Sequence, residues 1–270
     1  NWSAEEMEVA LNFTRRDGVV LTKGGNLPVK NIVHMVGQTS EKEITRCMYN
    51  VLKKCEENKI QSVSFPALGT AVINPPATWT KMDGKDLEII ALPPGSPEYK
   101  KIEKDFVRSS KHQDIHRIQN QPQWQRYSVL KQAVDKKYPK QTNERFLYHG
   151  TTKDICQKIN KNGFNRSFCG RNAVVHGDGT YFAREAWYSC QDQYSNPDEN
   201  GLKYIYRARV VTGAMCKSRK GMKEPDPLDP KDPQAGLHDC AVDNVPNPFI
   251  FVVFCDAGAY PDYLITFKSV

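Results

Sequence analysis

The proline pair Pro75-Pro76 interrupts the chain between two regions of different secondary-structure pattern, and it constrains the fold more than any other local feature. Before this pair the pattern is strand, helix, strand; after it, strands predominate. We therefore interpret residues 71–79, AVINPPATW, as a linker and expect two domains, at residues 1–74 and residues 75–270. A chain of 270 residues is long enough for two domains of ordinary size.

The first region has the pattern of a βαβ unit. Residues 31–37, NIVHMVG, predict a buried strand, and residues 62–70, SVSFPALGT, predict a second strand that ends in a glycine turn. Between them, Ser40 and Glu43 have the spacing of a capping box. One face of the helix that follows is expected to carry Ile44, Cys47, Met48, Val51, Leu52 and Cys55. This order predicts a right-handed βαβ unit, which alone has too little apolar area to be stable.

The second region predicts an α+β domain rich in strands. The expected strands are residues 86–92, 114–120 and 179–183 and the runs KYIYRARVVTG, FIFVVFCD and YLITF. The expected helices run from Pro97, behind the N-cap Ser96, to about residue 110, over residues 122–138, over TTKDICQKINKNGF to Gly163, and over REAWYSCQDQY. The second of these helices should present Trp124, Tyr127, Leu130 and Val134 on one face. Residues 165–178 and 217–248 are expected to be loops.

Composition excludes several classes of protein. No run of about 18 apolar residues occurs, so a membrane span is not expected, and the N-terminal residues lack the features of a secretory signal. The first residue is Asn1 rather than Met, so we expect the chain to be part of a longer protein. The eight cysteines include no CxxC pair or zinc-ligand spacing, which indicates reduced thiols, no metal site and an intracellular protein of the nucleus or cytoplasm.

The net charge of +7 suits an anionic ligand such as a nucleotide diphosphate. Positive and negative residues alternate along the chain, so direct nucleic-acid binding is not indicated.

One short stretch carries candidate chemistry. Residues 145–152, RFLYHGTT, form an apolar strand that leads directly into His149 and Gly150. Further along are Tyr181, within GDGTYFA, then Ser189 and Tyr194. Taken singly, each of these residues is better explained by a place in the core or at the surface. The evidence for a functional site is therefore the combined order and spacing of these residues.

The segments FLYHGT, GFNRSFCGRNAV, GDGTYFAREAWYS and FIFVVFCDAGAYPDYLITF together resemble the catalytic domain of the poly(ADP-ribose) polymerase family, especially its macrodomain-containing mono-ADP-ribosyltransferases. The resemblance runs from about Pro75 to the C-terminal end. It implies an ADP-ribosyltransferase fold of two packed antiparallel-rich sheets with flanking helices, and NAD as the co-substrate. It also implies acceptor proteins modified at Glu, Asp or Cys side chains.

The resemblance also implies roles for individual residues. His149 would bond a ribose hydroxyl of NAD, the backbone of Gly150 would hold the nicotinamide carboxamide, and Thr151 would lie near the adenosine. Tyr181 and Tyr194 would flank the nicotinamide ring, with Tyr181 also in the catalytic set. The hydroxyl of Ser189 would donate to the carboxamide oxygen. Such a site should reject nicotinic acid, because a carboxylate leaves an acceptor unpaired.

The third member of the catalytic set is expected at Ile250. Polymerising members of the family have a glutamate here, which activates the hydroxyl that extends the chain, whereas isoleucine can neither accept a hydrogen bond nor take a proton. The resemblance therefore implies transfer of single ADP-ribose units. From the residue alone, Ile250 is also a plain core residue of a strand.

Two departures from the family pattern bear on NAD affinity. Asp178 stands where a lysine is usual, close to the expected ligand, and His176 stands where close relatives have a tyrosine. Arg166 and Arg171 are candidate phosphate partners, although exposure to solvent explains either one as well.

The first region resembles the later part of a macrodomain, an α/β module that recognises ADP-ribose. The motif PALGT at residues 66–70 matches, but Ala71 follows where that module continues its glycine turn. We expect half a macrodomain, unable to bind ADP-ribose. For the chain as a whole, an NAD glycohydrolase and a non-catalytic binding module remain as alternatives to a transferase.

Overall fold

A computed structural model describes residues 19–23, 30–35, 41–63, 73–106, 110–165, 175–232 and 234–269. The chain forms two compact units, Asn1–Ile73 and Asn74–Val270. Within the described ranges, no helix has the length and apolar composition needed to cross a bilayer.

In its described residues, the first unit contains a two-stranded antiparallel sheet and one helix. Strands β1 (Val19–Lys23) and β2 (Asn31–Met35) pair with each other, and helix α1 (Glu41–Glu57) follows. On α1, Cys47, Val51 and Cys55 are buried as expected, because they fall on one face. Leu52 is 50% exposed, so its assignment to that face was wrong.

Of the other expectations for the first unit, one is wrong and the rest concern residues that the structure does not describe. The prediction that β2 is buried was wrong, because its described side chains are exposed or half-buried. The side chains of the expected capping box, Ser40 and Glu43, lie outside the described residues, as does that of Ile44. Most of the strand expected at residues 62–70 also lies outside them, so the βαβ order stays a prediction.

The second unit is an α+β domain whose described residues form nine strands, as its strand-rich sequence predicts. The strands are β3 (Leu87–Ala91), β4 (Ser110–Asn120), β5 (Glu144–Thr151), β6 (Thr180–Ala183), β7 (Leu202–Val211), β8 (Met215–Lys217), β9 (Cys240–Val242), β10 (Ile250–Val253) and β11 (Ala259–Ser269). Their spatial order is β3-β4-β11-β7-β5-β6-β10-β9-β8, and all neighbouring pairs are antiparallel except β8 and β9.

The nine strands fall into two halves that meet at the middle of this order. In the part of the chain that the structure describes, β5 and β6 share a single register pair, Tyr148 with Ala183. Side chains from both halves pack into one buried cluster, which includes Leu147 and Tyr206 from one half and Phe182 and Phe251 from the other. The expected architecture of two packed antiparallel-rich sheets with flanking helices is therefore confirmed.

The helices of this unit are α2 (Pro97–Phe106), α3 (Gln121–Lys137), α4 (Lys153–Asn162) and α5 (Ala186–Ser189). The Oγ of Ser96 accepts from the N–H of Tyr99 at 3.2 Å, which makes Ser96 the expected N-cap of α2. Gly163 ends α4 with a positive φ of 81°. The apolar face of α3 packs as expected, with Tyr127 and Val134 buried in its cluster.

Several boundaries differ from the predictions. Helix α2 ends at Phe106 rather than near residue 110, because residue 110 already belongs to β4. The helix expected over REAWYSCQDQY is a single turn, α5, followed by turns through residue 194. The expected loop at residues 217–248 is interrupted by β9, which lies between β8 and β10.

Candidate active site

One large cavity lies where the two halves of the sheet separate. Its volume is about 920 Å³, at the upper end of the range for ligand-binding sites. All seven residues singled out from the sequence contribute to its wall, namely His149, Gly150, Thr151, Tyr181, Ser189, Tyr194 and Ile250. Within the described ranges, no group of three or more His, Cys, Asp or Glu side chains is arranged to hold a metal ion.

His149 bridges the two strands at the point where their pairing stops. If the antiparallel ladder continued beyond Tyr148 and Ala183, His149 would oppose Phe182 and Gly150 would oppose Tyr181. Instead, Nδ1 of His149 lies 2.8 Å from the main-chain oxygen of Tyr181. A side-chain hydrogen bond therefore takes the place of the next backbone pair.

This bond fixes the protonation of the ring. A carbonyl oxygen only accepts, so the hydrogen is on Nδ1 and the neutral ring keeps Nε2 as an acceptor. Burial lowers the pKa of His149, although the bond to the Tyr181 carbonyl opposes this shift. Phe164 and Phe182 pack beside the imidazole, with ring centroids at 5.2 Å and 5.5 Å. The ring is therefore held neutral in one orientation.

Gly150 lets β5 approach α5 closely. A Cβ at this position would overlap the main-chain oxygen of Ser189 and would lie 2.9 Å from Cβ of Tyr194. The resemblance assigned the backbone of this glycine to the nicotinamide carboxamide. The structure adds a reason within the protein, because only glycine allows the main chain of Ser189 to lie against the strand.

Tyr181 holds the segment that precedes its own strand. Its hydroxyl donates to the main-chain oxygen of Gly177 at 2.8 Å and accepts from the N–H of His176 at 2.9 Å. His176 is itself part of the cavity wall, and its Nδ1 lies 2.8 Å from Oγ of Ser218. The hydroxyl of Tyr181 thus positions a second imidazole beside the cavity.

The hydroxyl of Ser189 is already committed in this structure. It donates to the main-chain oxygen of Tyr148 at 3.0 Å, and the residue is buried. A serine hydroxyl has a single hydrogen, so it cannot donate to a carboxamide oxygen at the same time. The role expected for Ser189 therefore requires its hydroxyl to rotate away from Tyr148.

Tyr194 is supported by Tyr188, a residue that the sequence did not single out. Their hydroxyl oxygens are 2.6 Å apart, and their ring centroids are 4.9 Å apart with planes inclined by 31°. Phe249 packs edge-on against the ring of Tyr188 at 5.3 Å. Burial, followed by the bond from Tyr188, raises the pKa of Tyr194. Tyr188 belongs to the cavity wall too, and its position directly before Ser189 was the available signal.

Ile250 begins β10 opposite Ala183 and is buried among apolar side chains that include Val252. Its N–H donates to Oδ1 of Asp243 at 3.0 Å. Ile250 contributes to the cavity wall, so an aliphatic residue lines the cavity here. The interpretation of Ile250 as a core residue is confirmed, and its role in the site stays a prediction.

The remaining sequence candidates have separate outcomes. Thr151 is buried and contributes to the cavity wall. Asp178 is exposed and is not among the residues that line the cavity. Arg166 and Arg171 lie outside the described residues.

Comparison with protein families agrees with both regions. Residues 96–269 match the poly(ADP-ribose) polymerase catalytic domain, and residues 4–80 match the macro domain. The protein mono-ADP-ribosyltransferase PARP14 of Homo sapiens is 40% identical over 216 residues, which are 79% of this chain and 12% of that protein.

Two further relatives carry the same activity in their names. PARP10 of Mus musculus is 38% identical over 156 residues, 58% of this chain and 16% of the relative. PARP11 of Homo sapiens is 30% identical over 230 residues, 77% of this chain and 67% of the relative. The chain thus spans less than a fifth of the length of PARP14 and of PARP10.

Proposed function

The chain belongs to the poly(ADP-ribose) polymerase family, and from this premise we propose that it is a protein mono-ADP-ribosyltransferase. It would transfer one ADP-ribose unit from NAD to a protein side chain and release nicotinamide. The observation that carries the proposal is the convergence of His149, Gly150, Tyr181, Ser189 and Tyr194 on one cavity of about 920 Å³. The activity named for the relatives supports it.

In this proposal the cavity binds the nicotinamide end of NAD. The rings of Tyr181 and Tyr194 flank the nicotinamide, and the backbone of Gly150 holds its carboxamide. The neutral ring of His149 accepts a hydrogen bond from a ribose hydroxyl through Nε2. This nitrogen is available because Nδ1 donates to the Tyr181 carbonyl. Thr151, at the end of β5, lies toward the adenosine side.

These contacts would act mainly by positioning. Nicotinamide leaves the ribose as positive charge builds on the sugar, so holding the leaving group and the sugar in a fixed relative orientation lowers the barrier. Ser189 would join the carboxamide contacts once its hydroxyl turns from the Tyr148 oxygen. The neutral state of His149 suits this step, because a cationic ring would oppose the developing charge.

Ile250 determines which acceptors can react. An aliphatic side chain cannot take a proton from an acceptor hydroxyl, so the site has no means there of activating a second ribose. An acceptor that reacts as an anion, such as a Glu or Asp carboxylate or the thiolate form of Cys, supplies its own nucleophile. We therefore propose single additions to such side chains rather than chains of ADP-ribose.

We propose residues 75–270 as the catalytic domain and residues 1–74 as a partial macrodomain with its linker. The contact-based division after residue 73 and the two family matches support this assignment. We also place the protein in the nucleus or cytoplasm. The support is that Cys47, Cys55, Cys156, Cys190, Cys216, Cys240 and Cys255 are all free thiols.

One incubation separates this function from its two alternatives. The chain is mixed with NAD labelled in the ADP-ribose and with a general protein extract, and protein-bound label is compared with free ADP-ribose. Label on protein as single units supports the transferase, whereas free ADP-ribose alone indicates an NAD glycohydrolase. Absence of turnover leaves a binding module. The Tyr181→Ala variant should lose turnover, and Tyr49→Ala, which removes a 68% exposed ring outside the cavity, should keep it.

A further inference from the structure

A short basic segment contacts a residue of the cavity wall. Residues 217–223, KSRKGMK, here called the basic turn, begin at the last residue of β8 and bend through the hydrogen bond from the Met222 N–H to the Arg219 oxygen, at 3.3 Å. Ser218 and Met222 are buried. The four cationic residues of the turn are all exposed, namely Lys217, Arg219, Lys220 and Lys223.

The two buried residues attach the basic turn to the cavity. Oγ of Ser218 lies 2.8 Å from Nδ1 of His176, a residue of the cavity wall. The main-chain oxygen of Met222 accepts from the N–H of Asp178 at 2.7 Å. A Cβ on Gly177 would lie 2.8 Å from that same oxygen, so the two backbones are in close contact. The turn is thus fixed to the segment that Tyr181 holds.

The basic turn is also anchored in the apolar cluster that contains Ile250. Met222 and Ile250 belong to one buried apolar cluster, and Tyr181 and Tyr188 pack against that cluster. Ile250 is the position at which the proposed function requires the acceptor to supply its own charge. The turn therefore stands beside the place from which an acceptor would approach.

The charges of the basic turn favour an anionic partner. None of the described residues that line the cavity is Lys or Arg, so the basic turn supplies cations that the described wall lacks. Arg219 is paired with Asp226 at 2.6 Å, and Nζ of Lys217 donates to the main-chain oxygen of Asp243. Lys220 lies at the exposed tip of the turn, beside the glycine.

We propose that the basic turn is the docking surface for an acidic segment of the acceptor protein. The inference rests on the proposed function and deepens it, because it assigns a chemical class to the protein substrate. A run of carboxylates beside the modified residue would be attracted to Arg219 and Lys220 while one carboxylate reaches the cavity past Ile250. Exposed charge pairs of this kind raise the rate and selectivity of encounter more than the affinity.

The surroundings of the turn favour a protein over a nucleic acid. Seven residues span at most about 25 Å, even when fully extended. The next residues, 224–232, carry four acids and one lysine, with the sequence EPDPLDPKD. A nucleic-acid backbone carries regular negative charge and would be repelled where it continued past the turn. A protein segment can place its carboxylates opposite the turn alone.

The test compares two variants with the same change in charge. Arg219→Gln/Lys220→Glu alters the tip of the turn, and Lys100→Gln/Lys101→Glu alters two exposed lysines of α2 as a control. The acceptor is a fluorescent peptide of alternating Glu and Gly, with its Gln counterpart as the neutral reference. Transfer, NAD hydrolysis and peptide binding by fluorescence anisotropy are measured at low and high salt, and a short single-stranded oligonucleotide serves as competitor.

We expect the tip variant to raise KM for the Glu peptide about tenfold at low salt, the size expected for a few exposed charge pairs, and high salt to remove the difference. The control variant should match the parent chain, and NAD hydrolysis should be the same in all three proteins. Equal losses in hydrolysis and transfer would overturn the proposal, because the cations would then bind NAD. Equal binding of Glu and Gln peptides, or an oligonucleotide that binds the turn better than the Glu peptide, would overturn it too.

Anisotropy keeps this outcome separate from the proposed function. If no variant turns over NAD, the transferase proposal fails. The docking surface would still be supported if the parent chain bound the Glu peptide in a salt-sensitive way and the tip variant did not. It would be refuted if the tip variant bound the peptide as well as the parent chain.

Discussion

Replacement of Gly150 by alanine tests the link between backbone packing and NAD turnover. The added Cβ would lie 2.9 Å from Cβ of Tyr194, whereas ordinary contacts begin at 3.4 Å, so Tyr194 would have to move by about 0.5 Å. The overlap with the main-chain oxygen of Ser189 is more severe, and that atom belongs to backbone that no side-chain rotation can relieve. The strand and α5 must therefore separate.

The cost of this separation can be estimated. Inserting a methyl group into a packed site costs about 1–3 kcal/mol. For a domain of this size, about 2–4 °C in melting temperature corresponds to each kcal/mol, so the Gly150→Ala variant should melt about 2–12 °C lower. The displaced groups include Ser189 and Tyr194, both assigned to the nicotinamide, and a misplacement of about 1 Å costs on the order of 100-fold in rate.

Thermal unfolding and NAD consumption measure the two effects separately. Gly95→Ala is the matched control, because a Cβ there has nothing within 4 Å but the backbone φ is +80°. Gly95→Ala should lose about 1–2 kcal/mol through backbone strain and keep full turnover. Gly150→Ala should lose both stability and turnover. A Gly150→Ala protein with the parental KM and kcat for NAD would refute the assignment of this glycine to the site.

Three further predictions concern side chains of the cavity. Burial lowers the pKa of His149, so its ring stays neutral as the pH falls through 6.5, and kcat/KM for NAD should decline only below pH 6.5. The neutral ring should contribute its full stabilisation of the fold above pH 6.5. This contribution should fall as the pH drops below 6.5 and be lost below the lowered pKa. A pH profile that falls with a midpoint above 6.5 would contradict this. Tyr188→Phe keeps the ring beside Tyr194 but removes the 2.6 Å contact between the two hydroxyl oxygens. In steady-state assays the KM for NAD should therefore rise about 2–10-fold, and the melting temperature should stay unchanged. Ile250→Glu should yield no polymer on gels, because other groups must hold the second ADP-ribose; it should also destabilise the fold, since the position is buried, and a ladder of products would refute the first expectation.

Local signals predicted local structure well in this chain. The N-cap at Ser96, the glycine end of α4 at Gly163 and the apolar face of α3 all depend on residues a few positions apart, and each is found. Long-range contacts explain the errors. Helix α2 stops early because Ser110 pairs with Ser269 at the far end of the chain. No local pattern contains such a partner.

The short strand β9 illustrates the same limit. Cys240, Ala241 and Val242 are fully buried between β8 and β10, within a stretch whose prolines and charges predict a loop. Three residues are too few for a periodic pattern. The turns after α5 are similar, since Oγ of Ser195 donates to the oxygen of Tyr204 and accepts from its N–H, replacing the helix that the sequence favours.

The candidate site, too, could be predicted only in part from the sequence. The residue types at positions 149, 150, 181, 189, 194 and 250 were available from motifs, and all of them reach one cavity. The partners of those residues were not available. The hydroxyl bond from Ser189 to Tyr148 and the ring of Tyr188 against Tyr194 depend on how α5 lies against β5, which the motif spacing does not specify.

The split between β5 and β6 explains why these residues can serve a ligand at all. In a continuous sheet, the main-chain groups beyond Tyr148 and Ala183 would satisfy one another and leave no space between the strands. Here the strands diverge after one pair, and the side chain of His149 satisfies the oxygen of Tyr181 across the gap. A residue of another shape at 149 would remove this hydrogen bond or allow the strands to close, and either change would alter the cavity wall. We infer that His149 maintains the opening as well as facing it, so its substitution should change the shape of the cavity in the absence of any ligand.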